Sequence, residues 1–182
     1  MSKLLAGLLL ACLLALAAAY AASPLLAFHQ LQEAAAAGDR ERLEALVDFP
    51  AVREGMKRQV ESRVVKLARK ADGIGLAGTV LGKLGAVFGD RAVDKMVTPE
   101  SLATMVQLGE TPRTHRRRLK EQGDDASAPA KVAVVTHYAY LTPERFRVGV
   151  APADAPDAEI GLLLDRRAMF GWRVEEIELP GR

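Results

Sequence analysis

A chain of 182 residues, 49% hydrophobic and 26% charged, has room for one domain with an apolar core that needs no staples. Its net charge of +2 is unevenly spread: residues 39–122 hold 17 Lys/Arg against 12 Asp/Glu, and residues 123–182 hold 7 against 10. That mild dipole falls far short of the basic stripe of a nucleic-acid binder, and a single cysteine, Cys12, excludes an internal disulfide and a thiolate metal site.

Leu4 to Ala22 are 19 uncharged, almost wholly apolar residues behind Lys3. Two readings of residues 1–22 fit equally. Lys3 and the amino terminus can lead an h-region that ends at small-residue cleavage sites among the alanines, which makes a signal peptide. The same stretch is also long enough to stay as one membrane-spanning helix. Both put the positive end in the cytoplasm and the remainder across the membrane. Leu9-Leu10-Ala11-Cys12 resembles a lipobox, but eight apolar residues follow Cys12 where a polar tether would stand, so Cys12 reads as a small apolar residue of a membrane-embedded helix.

Residues 23–182 read as a single α+β domain, with a helical part over 23–113, a polar linker over 114–130 and an antiparallel sheet over 131–182. Ser23-Pro24 predicts a helix start, Ser as cap and Pro in the first turn. Leu25, Phe28, Leu31 and Ala35 then form one apolar stripe. Gly38 is placed to end that helix and Asp39 to cap the next, a short element with Leu43, Leu46 and Val47. Asp48 and Pro50 predict a second corner. The helix beyond it carries Val52, Met56, Val60, Val64, Leu67 and Ala71 on one face.

The order of apolar leader, "YAASP", alanine-rich helix, "GD", "VDFPAVR" and basic helix resembles the bacterial domain-of-unknown-function family 2939. The likeness covers Tyr20 to about Val60, and extends to "VTPESLATM" and "GWRVEEIELP". It implies a bacterial envelope protein, either single-pass in the inner membrane through residues 4–22 with a periplasmic domain, or periplasmic if cleaved. It supplies no catalytic residue.

Residues 73–89 place glycines at 75, 78, 82, 85 and 89, one face of a helix suited to close approach. The match to G-x-G-x-x-G at Gly73, Gly75 and Gly78 lacks the preceding strand that a dinucleotide site requires. Thr98-Pro99 repeats the cap-then-proline start of a helix of about ten residues. His115, Arg116, Arg117, Arg118 and Lys120 then form the strongest positive cluster, balanced by Asp124 and Asp125 and without interleaved aromatics, which reads as a solvated linker.

From Lys131 the period changes to two, and four strands with short connections predict an antiparallel meander. Helices followed by a sheet whose last strand opens with Trp172-Arg173 resemble the NTF2-like cone, in which a curved sheet wraps a helix and often leaves a pocket. His137, Tyr138 and Tyr140 are then the candidate ligand-binding residues, with His137 and Tyr138 on opposite faces. His29 reads as a partly buried helical residue. Strict alternation puts Glu176 and Glu178 with Trp172 and Val174, and Glu175 with Ile177.

No histidine stands at metal-ligand spacing, and no nucleophile elbow, zinc-protease, phosphate-loop or calcium-loop motif occurs. The reading leans away from an enzyme, names no catalytic residue, metal or cofactor, and expects no nucleic-acid partner. An accessory protein binding another envelope protein or a small ligand is expected first. A pocket enzyme using His137 and a membrane-surface structural protein are the alternatives.

Overall fold

The computed structural model describes residues 2–70, 93–94, 97–109 and 133–180. The glycine-rich segment, the linker 114–130 and His115 lie outside the described residues. Among those described, α1 (Ser2–Ala37), α2 (Arg40–Leu46), α3 (Phe49–Lys70) and α4 (Pro99–Leu108) precede four strands, β1 (Val134–Thr142), β2 (Arg145–Pro152), β3 (Ile160–Arg166) and β4 (Trp172–Glu178). All three strand pairs are antiparallel, in the order β1-β2-β3-β4. The class is α+β.

Local chemistry sets the corners between helices. After Ala37, Gly38 takes φ 64°. Its N–H bonds the Ala35 carbonyl while that of Asp39 reaches back to Ala34, the pair of bonds that closes a helix on a left-handed residue. Asp39 then caps α2 by accepting from Arg42 N at 3.1 Å. Asp48 does the same for Ala51 N ahead of α3, with Pro50 in the first turn. Thr98 caps α4 through Ser101 N, with Pro99 behind it.

Ser23 and Pro24, expected to start a helix, lie inside one instead. The helix α1 runs unbroken for 36 residues with Pro24 within it. Proline has no N–H to give to the carbonyl four residues back, here that of Tyr20. Ser23 Oγ donates to that carbonyl at 2.8 Å, and Tyr140 Oη donates to the neighbouring Ala21 carbonyl at 2.7 Å. The carbonyl that the proline leaves free is therefore met by the adjacent Ser23, and Tyr140, 119 residues from Ala21, ties the same turn to the sheet. His29 also departs from expectation: it is exposed on α1, 3.4 Å from Glu33.

The helices and the sheet share one core. Phe28 and Leu31 of α1, Val52 and Met56 of α3 and Met105 and Val106 of α4 meet Phe146, Val148, Leu162, Leu164, Val174 and Ile177 of the sheet, all buried. Each such side chain contributes roughly 1.5–3 kcal/mol on burial. Alternation in β4 is interrupted. Leu164 pairs with Val174 and Leu163 with Glu176, so Glu175 is an extra residue in the strand. That bulge turns Ile177 to the core beside Trp172 and Val174. It sends Glu176 and Glu178 to the outer face, the reverse of the strict-alternation reading. The free edge of β4 is covered. Asp48 N donates to Val174 O, and the Gln59 amide both donates to Ile177 O and accepts from Leu179 N.

Candidate functional site

Two constellations lie on opposite faces of the sheet. On the outer face a row runs from His137 through the paired Gly149 and Gly161 to Glu178. At both glycines a side chain would displace a carboxylate: a Cβ at Gly149 would stand 2.5 Å from the Glu159 carboxyl carbon, and one at Gly161 would stand 2.5 Å from Glu178 Oε2. Carboxylates thus lie flat over a bare backbone floor. Arg147 bridges them, with Nη2 2.7 Å from Glu159 and Nε 2.8 Å from Glu178. One step along, Arg145 spans Asp165 at 3.0 Å and Glu176 at 3.2 Å. Arg147, Glu159, Glu176 and Glu178 of this cluster, with Gln59, Asp157 and Leu179, line an open groove of about 470 Å³.

The charges in the groove hold one another. Partial burial pushes the Glu159 carboxyl up, but hydrogen bonds from Arg147 and His137 outweigh it and leave the pKa below the usual carboxylate value. The hydrogen bond to Glu178 raises Arg147 above the ordinary guanidinium value against its own desolvation. An ionised Glu159 can only accept, so His137 Nδ1, 2.9 Å away, carries the hydrogen between them. Glu175, on the bulge, behaves differently: desolvation raises its pKa, only partly offset by Arg167. An ionised, doubly bonded Glu159 is poor general-acid chemistry and good scaffolding for a charged surface.

On the helix face, an aromatic collar grips α1. Trp172 Nε1 donates to Ser23 Oγ at 2.8 Å, so one hydroxyl accepts from the sheet while it donates along its own helix. The Arg166 guanidinium lies between two rings, 3.7 Å from the Tyr20 centroid and 4.1 Å from that of Trp172. It also donates to Pro143 O at 3.1 Å and to Met169 O at 2.6 Å, and so ties together the β1–β2 and β3–β4 turns. Tyr140 and Phe146 meet edge to face with centroids 4.8 Å apart, and Tyr138 meets Phe28 at 6.0 Å.

The three residues singled out from the sequence are therefore divided. Tyr138 and Tyr140 belong to the collar side, while His137 stands on the outer face with its side chain 63% exposed. Sequence reading missed Arg145, Arg147, Glu159 and Arg166, the side chains that organise the two constellations. The one available signal was the alternation of "RFRVGV", which put Arg145 and Arg147 on a single face. Among the described residues, no group of three or more His, Cys, Asp and Glu is placed to hold a metal ion.

Fold and site together define an α+β protein whose first helix is long and apolar enough, by length and composition, to cross a membrane. The family model described as "Protein of unknown function (DUF2939)" matches residues 13–105. That is just over half of the chain, and the chain belongs to this family. The match takes in the collar residues of α1 and stops before the sheet. No curated protein and no solved structure matches the chain.

Proposed function

We propose that the protein is a membrane-tethered, non-enzymatic accessory domain of the bacterial envelope, held by an uncleaved α1. The observation that carries this is the continuity of α1 through Pro24 into the core. The cleavage sites offered by the alanines at 15, 17, 19, 21 and 22 would remove Tyr20 and Ala21 or leave them at a new amino terminus, cut loose from the helix before them. These residues give a ring to Arg166 and a carbonyl to Tyr140, so cutting there would unpick the collar. As an anchor, α1 places the body across the inner membrane by the positive charge at Lys3.

The working surface in this reading is the outer groove, where Asp157, Glu159, Glu176 and Glu178 outnumber Arg147. It suits a partner with basic side chains, which an envelope protein can supply. The position of His137 on this open face weighs against a pocket acid or base.

Mass spectrometry of the protein from membrane and soluble envelope fractions tests the tether. Recovery of peptides from residues 1–22 in the membrane fraction alone is expected. A soluble form beginning between Ala18 and Ser23 would sink the reading. For the groove, a photo-crosslinker at position 137 of the full chain should give one discrete adduct, and a smear of neighbours would count against a defined partner.

A further inference from the structure

On the side of α1 that the body leaves uncovered, side chains change character at one point. Leu4 through Leu16, then Tyr20, Leu25 and Leu26, are exposed apolar residues. The next exposed large groups are polar, Gln30 with His29 and Glu33, the last two 70% and 58% open. From Leu4 to Leu26 a helix rises about 33 Å, against about 30 Å for the hydrocarbon core of a bilayer. The apolar surface therefore continues past Tyr20–Ser23, the level at which the sheet grips the helix.

The end of the sheet that meets α1 at this level is made of the β1–β2 and β3–β4 turns, both bound by Arg166. The last residues of β1 expose Leu141 at 51%, and the β3–β4 turn exposes Met169 at 62% and Phe170 at 44%. Three large apolar side chains thus stand exposed at the end of the sheet that Arg166 ties together and that meets the apolar helix. A second observation agrees with a lipid setting. A proline inside a membrane helix is tolerated when a side chain satisfies the carbonyl group that it frees, as Ser23 does here for Tyr20.

We propose that this end of the sheet docks on the bilayer that α1 crosses, with Leu141, Met169 and Phe170 entering the boundary between headgroups and acyl chains. The inference rests on the anchoring of α1 proposed above and adds an orientation to it. The body lies against the membrane by its turn tips, and its outer face stands beside the bilayer rather than under it. The docking is apolar in origin. Arg166 is engaged within the collar, Arg167 pairs with Glu175 and Asp48, and Glu144 sits on the same tips, so the contact needs no anionic lipid and persists in salt.

Depth measurement by spin labelling tests it. The full chain carrying Cys12→Ser, which removes the only cysteine, is reconstituted in phosphatidylcholine vesicles with single nitroxides at Leu10→Cys, Phe170→Cys or Ala158→Cys. Position 158 is on the turn at the opposite end of the sheet. The ratio of oxygen to nickel accessibility should be highest at 10, lowest at 158, and clearly raised above 158 at 170, unchanged in high salt. A label at Met169→Cys repeats the reading should Phe170→Cys disturb the fold. Aqueous values at both 169 and 170, with position 10 in lipid, overturn the docking and leave the anchor standing. An aqueous value at position 10 overturns the anchor and the docking with it.

Discussion

The two faces of this sheet are held by different physics. The helix face buries Phe146, Trp172, Val174 and Ile177 against α1 and α3. Its few polar groups are bonded in place around the Ser23 hydroxyl. The outer face is a lattice of ion pairs whose members keep roughly a quarter to two-fifths of their side-chain surface in water at Arg145, Arg147, Asp165, Glu176 and Glu178. Apolar burial is worth about 25 cal/mol per Å², whereas part-exposed ion pairs return about 0–1 kcal/mol each. Cohesion therefore resides on the helix face. The outer face can carry charge for a partner without the fold depending on any one of its pairs.

The largest effects should come from breaking the helix face. Trp172→Ala removes a ring that is 5% exposed, with the Ser23 bond and half of the Arg166 sandwich. We expect a loss of about 3–5 kcal/mol, measured by urea unfolding of the full chain in detergent. Ser23→Ala comes next. It orphans the buried Trp172 N–H and the Tyr20 carbonyl together, at about 1–3 kcal/mol. Adding Trp172→Phe to Ser23→Ala removes one of the two orphans, so the double variant should lose less than the sum. Strict additivity would mean that the Ser23–Trp172 bond couples nothing, and the collar would then be ordinary packing.

The same division explains what could be read from the residues alone. Capping and apolar stripes are local, and Gly38-Asp39, Asp48 and Thr98-Pro99 stand in the structure where the chain turns or a helix begins. Ser23-Pro24 has the same local signature, but there the helix runs on, and Tyr140 and Trp172, more than a hundred residues on, bind that turn from the sheet. No neighbouring residue carries that information. In β4 the alternation fails because one residue, Glu175, is inserted, and its cause lies in the pairing with Leu163 and Leu164. The outer lattice was illegible for the same reason. Arg147 and Glu178 are 31 apart in sequence, and only the register of three strands makes them neighbours.

Smaller effects should come from the outer face. Glu159→Gln weakens the bonds from Arg147 and His137, which should cost about 1 kcal/mol near pH 7. The folded-state pKa of Glu159 lies below its ordinary value of 4.5. The stability it contributes is therefore fully present above that value and is lost as the pH falls through the depressed one. The gap between wild type and Glu159→Gln should accordingly close in acid. A gap that stays constant down to pH 3 would mean that the carboxylate charge does nothing there. Either way the effect should stay well under that of Trp172→Ala; a comparable loss would break the comparison between the faces.

The smallest effect should have the opposite sign. Desolvation raises the folded-state pKa of Glu175 above 4.5, with the Asp165 and Asp48 charges adding to it and Arg167 opposing. A carboxyl whose pKa rises on folding binds its proton more tightly in the folded state. Its contribution to stability is thus largest below the unfolded value and declines as the pH rises through the folded one. At neutral pH the ionised group is a mild burden on the bulge. Glu175→Gln should leave stability unchanged or raise it by up to about 0.5 kcal/mol, and the variant should lose that advantage in acid, where wild type catches up. Urea melts at pH 7 and pH 3 for Glu159→Gln and Glu175→Gln together provide the sharpest test. The two carboxylates should respond to acid in opposite directions, because Glu159 is held by two donors and Glu175 is crowded by two acids. A clear loss for Glu175→Gln at neutral pH would show that its pair with Arg167 outweighs its desolvation, and the bulge would then count among the supports of the outer face.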